Sequence, residues 1–245
     1  MRINGDGTIR LIYSGDNTPT SEGEGTQIGT SAFNSSNGDN MYVGYMYTEN
    51  EVHGLGTSST IKGVLDNWYN NNLSSYASYI DINAGFCGDR SPSTSSSSSN
   101  GSGGTGGTTT YYGAYIRLKT NQIPTFRCSN SSDLYTLSDS NKGNNVLTYP
   151  IGLITADEVA YASGVNTSAN SYLYTGQGYW TLSPYYVDNY DWAFVVSVYP
   201  DGILNGTSSY FTVTQVLGVR PVINLRADVT ISSGDGSSSK PFVIA

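Results

Sequence analysis

YWTLSPYYVDNYDWAFVVSVYPDGILNGTSSYFTVTQVLGVRPVINL, residues 179–225, reads as a succession of short strands and turns. Apolar and aromatic residues at 179–182 and 193–199 have the β-branched and ring-bearing character of strands. Pro200-Asp201-Gly202 makes a turn into Ile203 and Leu204, because Pro presets φ and Gly tolerates a positive one. Residues 210–216 and 218–225 continue the series, and 229–231 and 242–244 close it around a Gly234-Asp235-Gly236 turn. Between the first two strands, residues 183–192 are rich in Pro, Asp and Asn and read as a loop.

Upstream the pattern is mixed. Asn4-Gly5-Asp6-Gly7 reads as a turn before a strand at 8–13, residues 14–40 as loop, and MYVGYMY at 41–47 as a short strand. Ile61, Val64, Leu65, Trp68, Tyr76 and Ile80 recur mostly at three- and four-residue steps, which predicts a helix over 60–80. Ser59 or Thr60 can cap it, and the Asn run 70–72 weakens its middle. Thr155-Ala-Asp-Glu158 matches a capping box for a short second helix at 156–163, with Gly164 as its stop. Residues 91–110, SPSTSSSSSNGSGGTGGTTT, have nothing to bury and read as a flexible surface loop, with an interdomain linker as the alternative. No repeat of solenoid or propeller period is present. The expectation is a single α+β domain over 1–245, with two helices around a twisted antiparallel sheet and long loops.

Charged residues make up only 12% of the 245, about half the ordinary share, so Ser, Thr, Asn, Gly and Tyr must supply the polar surface. There are 21 Tyr against 6 Phe, which favours a wet recognition surface over a purely apolar interior. With a formal net charge of −8 and no run of Lys or Arg, nucleic acid and anionic membrane surfaces are excluded as partners. Residues 1–13 read as a polar turn and strand, so no export signal is read there, and no membrane span is visible. In such a composition Cys87 and Cys128 read first as a disulfide, with two buried thiols as the alternative.

Catalytic groups are sparse. His53 is the only histidine, and it reads as a solvated loop residue rather than a base or zinc ligand. Asp188, Asp191 and Asp201 could serve a glycan-acting hydrolase, which needs two placed acids. Asp188, Asn189 and Asp191 could make a weak calcium site, but no EF-hand pattern is present. The favoured reading of all four is a solvated loop. No phosphate loop or dinucleotide fingerprint occurs, so neither cofactor nor metal is expected. The more informative feature is the interleaving of Tyr185, Tyr186, Tyr190, Trp192, Tyr199 and Tyr210 with Asp188, Asn189 and Asp191. Flat rings among short hydrogen-bonding groups suit a paratope-like or sugar-stacking face, and strand propensity alone is the competing explanation.

Tyr179-Trp-Thr-Leu-Ser-Pro184, followed after a hairpin by Gly218-Val-Arg-Pro-Val-Ile-Asn-Leu225, resembles the C-terminal half of C-type-lectin-like domains of the formylglycine-generating-enzyme type. Leu65-Asp-Asn-Trp-Tyr69 and Ile151-Gly-Leu-Ile-Thr-Ala-Asp-Glu-Val159 are similar to upstream segments of the same group. The resemblance spans most of residues 28–225. It implies a C-type-lectin-like fold. In the variable proteins of diversity-generating retroelements, the residues between the two anchors form the ligand face, here about 185–216. Pilin-like members carry an N-terminal helix ahead of the globular part, whereas the residues here begin with a turn and strand. No cysteine follows Cys128, so the oxidase chemistry of the enzyme members is not carried over. The sugar-binding triplets Glu-Pro-Asn, Gln-Pro-Asp and Trp-Asn-Asp are absent, so calcium-dependent sugar binding is not carried over either.

The expected function is therefore a non-catalytic ligand-binding or adhesion domain, extracellular or on a bacterial cell surface or pilus. Its partner would be a surface protein or glycan. A pilin-like filament subunit and a hydrolase are the alternatives. Arg220, on an apolar strand, should need an acidic or carbonyl partner, and Trp68 and Trp180 read as core.

Overall fold

The computed structural model describes residues 2–15, 25–93, 109–163, 173–204, 211–237 and 239–245. The main elements are β1 (Arg2–Ile3), β2 (Ile9–Ile12), β3 (Thr30–Ala32), α1 (Thr60–Asn72), β4 (Thr110–Tyr111), α2 (Ala156–Ser163), β5 (Tyr179–Val187), β6 (Ala193–Val198), β7 (Val216–Gly218) and β8 (Val222–Leu225). The class is mixed α and β, with short helices between sheets.

The central sheet runs β6-β5-β7-β3, and β4 also pairs with β5. β4 joins β5 at Tyr186 and Val187, and β7 joins it in parallel at Tyr179. β5 is therefore hydrogen-bonded on both edges, and nearly all of it is buried, as expected of a central strand whose sheet is covered on both faces. A second sheet, β1-β2-β8, pairs the start of the chain with its last core strand, Ile9 opposite Leu225. Between the sheets lies one hydrophobic core, with Trp180 fully buried and its indole N–H donating to Ser31 O at 2.9 Å. At Gly218 the chain passes so close to Gly178 O and the Gln27 amide that a Cβ there would overlap them.

Both anticipated helices form. Ser59 caps α1 by accepting from Lys62 N, and the helix ends at Asn72, where the Asn run stands. A 3₁₀ segment, Ser74–Tyr79, carries the chain on. Ile61, Leu65 and Ile80 are buried and Trp68 packs against the core, but Tyr76 is exposed because the α-helical period stops before it. The capping box of α2 is present, with Thr155 Oγ1 accepting from Glu158 N and Glu158 accepting from Thr155 N. Gly164 lies outside the described residues.

Several expectations are corrected. MYVGYMY is not a strand throughout: Asn40–Val43 is 3₁₀, because the Asp39 carboxylate accepts from Met41 N and caps a turn, and only Met46–Tyr47 is extended. β5 does not stop at Leu182 but runs through Pro184 to Val187, so Tyr185 and Tyr186 are strand residues. Pro184 is accommodated where the β5–β6 register slips, the bulged setting in which a sheet tolerates proline. The strand expected at 218–225 is divided, with Val219–Pro221 crossing from one sheet to the other. Thr212 bridges Phe194 and residues 212–215 then turn, so of the described part of the expected strand at 210–216 only the last residue lies in β7. A third helical segment, Gly113–Tyr115 running into a π-helical stretch Ile116–Asn121, has no counterpart in the sequence reading.

Cys87 and Cys128 are disulfide-bonded, with Cα atoms 5.5 Å apart. The bond ties the strand Phe86–Cys87 to the segment that follows the π-helical stretch. The flanks of the Ser/Gly/Thr tract meet at β4, where Pro92 bridges Tyr112 and Ser93 N donates to Tyr111 O at 2.7 Å. Residues 94–108 lie outside the described residues.

The bond spans 41 residues, and closing a loop of that length restricts the unfolded chain by roughly 4 kcal/mol. The double variant Cys87→Ser, Cys128→Ser should lose about that much in a denaturant titration, and reducing agent should produce the same loss in the parent.

Candidate functional site

The hairpin between β5 and β6 holds the candidate residues that stand furthest into solvent. Val187 pairs with Ala193, and Asp188 N donates to Trp192 O at 3.1 Å to close the loop. One carboxylate oxygen of Asp188 accepts from Tyr190 N and from Trp192 N, both at 2.9 Å. Asp191 adopts the left-handed region, with φ 65°, to complete the turn. Asp188 is thus the organiser of the loop, and its bonded oxygen is committed to the backbone. The result is a fixed frame from which Tyr190, 75% exposed, and Trp192, 54% exposed, project. Asn189 is exposed beside them. Beneath the tip, burial and the charges of Asp191 and Glu49 push the Asp39 carboxyl above its ordinary range.

The remaining candidates are distributed elsewhere. Tyr185, 3% exposed, is buried with its ring packed on Tyr115 at 5.0 Å. Tyr186 is half-buried in a cross-strand row with Tyr111 and Phe194, its ring stacked on Phe194 at 4.6 Å. Tyr199 packs on Phe211 at the other end of β6, with centroids 5.2 Å apart. Tyr210 lies outside the described residues. Asp201 also stands beyond that far end, where its carboxylate accepts from Ile203 N. The six residues of β6 extend roughly 20 Å. Asp201 therefore cannot act with Asp188 or Asp191 across one glycosidic bond, which needs carboxyls within about 10 Å.

His53 is not a free loop residue. Its Nδ1 is 2.9 Å from Asp133 Oδ1, and Asn130 Nδ2 is 3.0 Å from its Nε2. Asp133 is wholly buried and also accepts from the Arg90 guanidinium, which in turn donates to Met46 O and Gly54 O. With both ring nitrogens engaged, His53 pins loops rather than presenting a base.

Sequence reasoning missed a charged cleft near the chain start. Arg2, Arg10, Arg117 and Arg127 line it together with Asp89, Asp157 and Glu158. Burial opposes ionisation of Glu158, but Arg10, Arg2 and Thr155 N together hold its carboxyl below the ordinary range. Burial lifts Asp89 above that range despite Arg117, and the neighbouring charge of Asp157 adds to the lift. Arg117 bridges Asp157 and Asp89 at 2.7 and 2.6 Å. The one signal available beforehand was Arg10, a cation set between Ile9 and Leu11 in an otherwise apolar strand. No group of three or more His, Cys, Asp or Glu among the described residues is placed to hold a metal ion.

Asp188→Ala should raise amide exchange at Tyr190 and Trp192 and cost roughly 1–2 kcal/mol, whereas Asp188→Asn keeps an acceptor and should change little. Because the folded-state pKa of Glu158 is depressed, its stabilisation is fully present above its ordinary value near 4.5 and is lost as pH falls through the lower folded value. A pH series of denaturant titrations should therefore show a step in stability below about pH 4.5 that Glu158→Gln removes. No family model, curated protein or solved structure matches the chain.

Proposed function

We propose that this domain is a non-catalytic ligand-binding or adhesion module of a bacterial cell surface or pilus, and that it engages a surface protein or glycan through the β5–β6 hairpin tip. One observation carries the reading: Tyr190 and Trp192 are held in solvent by a turn whose amides are fixed on Asp188. Exposed rings on a rigid frame lose little conformational entropy on binding and supply most of the contact energy in recognition surfaces. Asn189 and Asp191 supply polar contacts around them, and the Tyr111–Tyr186–Phe194 row lies at the base of the same hairpin.

The C-type-lectin-like reading of the fold belongs to this proposal. It rests on the 179–184 and 218–225 matches. The pairing of β2 with β8, which brings the first and last core strands together, supports it. An outside location is supported by the disulfide, which persists in oxidising compartments, and none of the described helices is long and apolar enough to cross a membrane.

A filament subunit is the second reading. It draws on the C-terminal hairpin Ile231–Ser233 with Val243–Ile244, whose Ile231, Phe242 and Val243 are all exposed. A two-stranded ribbon is marginal alone and offers open edges for pairing.

The test is a glycan and protein array with the purified domain, with and without calcium. A calcium-independent hit should weaken at least about tenfold in Tyr190→Ala and in Trp192→Ala, with melting temperatures shifted by no more than about 2 °C. A hit that survives both substitutions removes the tip as the binding face. Concentration-dependent filaments in the electron microscope, abolished by Val243→Lys, would establish the second reading instead.

A further inference from the structure

Beside the charged cleft, a groove of about 220 Å³ lies between β2, β8, α2 and Phe126. Its floor is carbon: Leu11, Ile12, Ile154, Leu173 and Val222. At its rim the Phe126 and Tyr161 rings lie 4.2 Å apart, each more than half exposed. The Tyr161 hydroxyl donates to Pro124 O at 2.8 Å, which sets the two rings side by side. That volume is below the range of drug-sized ligand sites and suits a smaller molecule, and an apolar lining with a few placed polar groups is the usual character of such sites.

The charges at the rim do not balance. Glu158 is the groove's one carboxylate, and both Arg2 and Arg10 pair with it. Arg10 is buried and also donates to Leu153 O and Gly85 O. Arg2 is less committed. Its Nε donates to Asn4 Oδ1, its Nη1 meets Glu158 at 3.1 Å, and its Nη2 has no partner among the described residues. The same guanidinium stands 4.3 Å over the Phe126 ring, so the free donor and the aromatic rim are adjacent. In the neighbouring charged cleft, Arg127 makes no ion pair among the described residues, while Asp89 and Asp157 are occupied by Arg117. In a chain of net charge −8, this groove carries a local positive excess.

From that juxtaposition we propose a second ligand site, one that takes a small carboxylate with an alkyl or aryl body. The carboxylate would sit on Arg2, and the body would lie between the Phe126 and Tyr161 rings and the carbon floor. A guanidinium with open donors favours a planar anion, and a hydrogen bond to a charged partner is stronger than a neutral one. Aliphatic side chains on the floor favour an alkyl or aryl body over a sugar ring, which separates this ligand class from sugar acids. The site shares no residue with the hairpin tip, so either site can fail without the other.

The experiment uses the whole domain, isotope-labelled, titrated with hexanoate and 3-phenylpropionate while its resonances are followed by NMR. Hexan-1-ol supplies the body without the charge, and glucuronate the charge on a polar body. Both apolar carboxylates should shift Phe126 and Tyr161 resonances with millimolar affinity, and Arg2→Gln should weaken them about tenfold. Because Arg2 also pairs with Glu158, Phe126→Ala is the second variant: its ring is exposed, so the fold should persist while 3-phenylpropionate binding is lost. Equal binding of hexan-1-ol, equal binding of glucuronate, or no shift with either carboxylate up to about 20 mM would each overturn the proposal.

Discussion

The two main sheets are joined through one buried cation. Arg220 is 1% exposed, and its guanidinium donates to Tyr13 O at 3.0 Å and Leu173 O at 3.2 Å while lying over the Tyr179 ring. Tyr13 follows β2 in one sheet and Leu173 precedes β5 in the other, and Arg220 itself stands where the chain crosses between them. Paired amides hold the same crossing, with Ile28 N donating to Val219 O and Tyr13 N to Pro221 O. A buried guanidinium is costly to desolvate, and carbonyls on both sides offset that cost only when the sheets are docked as they are here. The placement of β5, and hence of the hairpin it ends in, depends on this contact.

What the sequence revealed was local. The Ser59 cap, the Thr155–Glu158 box and the Pro200–Gly202 turn each depend on residues within a few positions, and each is in the structure. What it concealed depends on distant partners. Residues 183–187 looked like loop because Pro184 cannot donate to a ladder, yet two flanking edges and a register slip keep them in the sheet. His53 looked solvated because Asp133 is 80 positions away. The charged cleft draws on residues from 2 to 183, a spacing that no pattern of helix or strand reveals. At the candidate site, Asp188, Asn189, Tyr190, Asp191 and Trp192 share the hairpin tip by chain continuity, while Tyr185 is withdrawn by burial and Tyr199 by the length of β6.

Tyrosine abundance turned out to have two origins. Tyr45, Tyr69, Tyr112, Tyr135, Tyr179 and Tyr185 are core residues, not surface ones. Their rings fill volume that Phe would fill elsewhere, and hydroxyls such as those of Tyr45 and Tyr179 reach backbone carbonyls of Ile151 and Leu173. Burial pushes Tyr135 up to about 12, so its hydroxyl stays a neutral donor and acceptor beside Met46. In a chain with so few charges, phenolic hydroxyls take over part of the internal bracing that ion pairs supply in other domains. The rings left in solvent, Tyr190 foremost, are the ones that no interior contact accounts for.

The meeting of Pro92 with Tyr112 gives the Ser/Gly/Thr tract a common doorway. A segment that leaves and re-enters a fold at neighbouring points can change length without moving what it connects. The entropy of closing it grows only with the logarithm of its length, so doubling it costs about 0.6 kcal/mol. Both ends of the tract also fall inside the span clamped by Cys87 and Cys128, which limits how far an altered insert could unzip its surroundings. The position between 93 and 109 is thus a natural grafting point, where a tag, a peptide epitope or a whole guest domain could be carried while β4 and its neighbours keep their register.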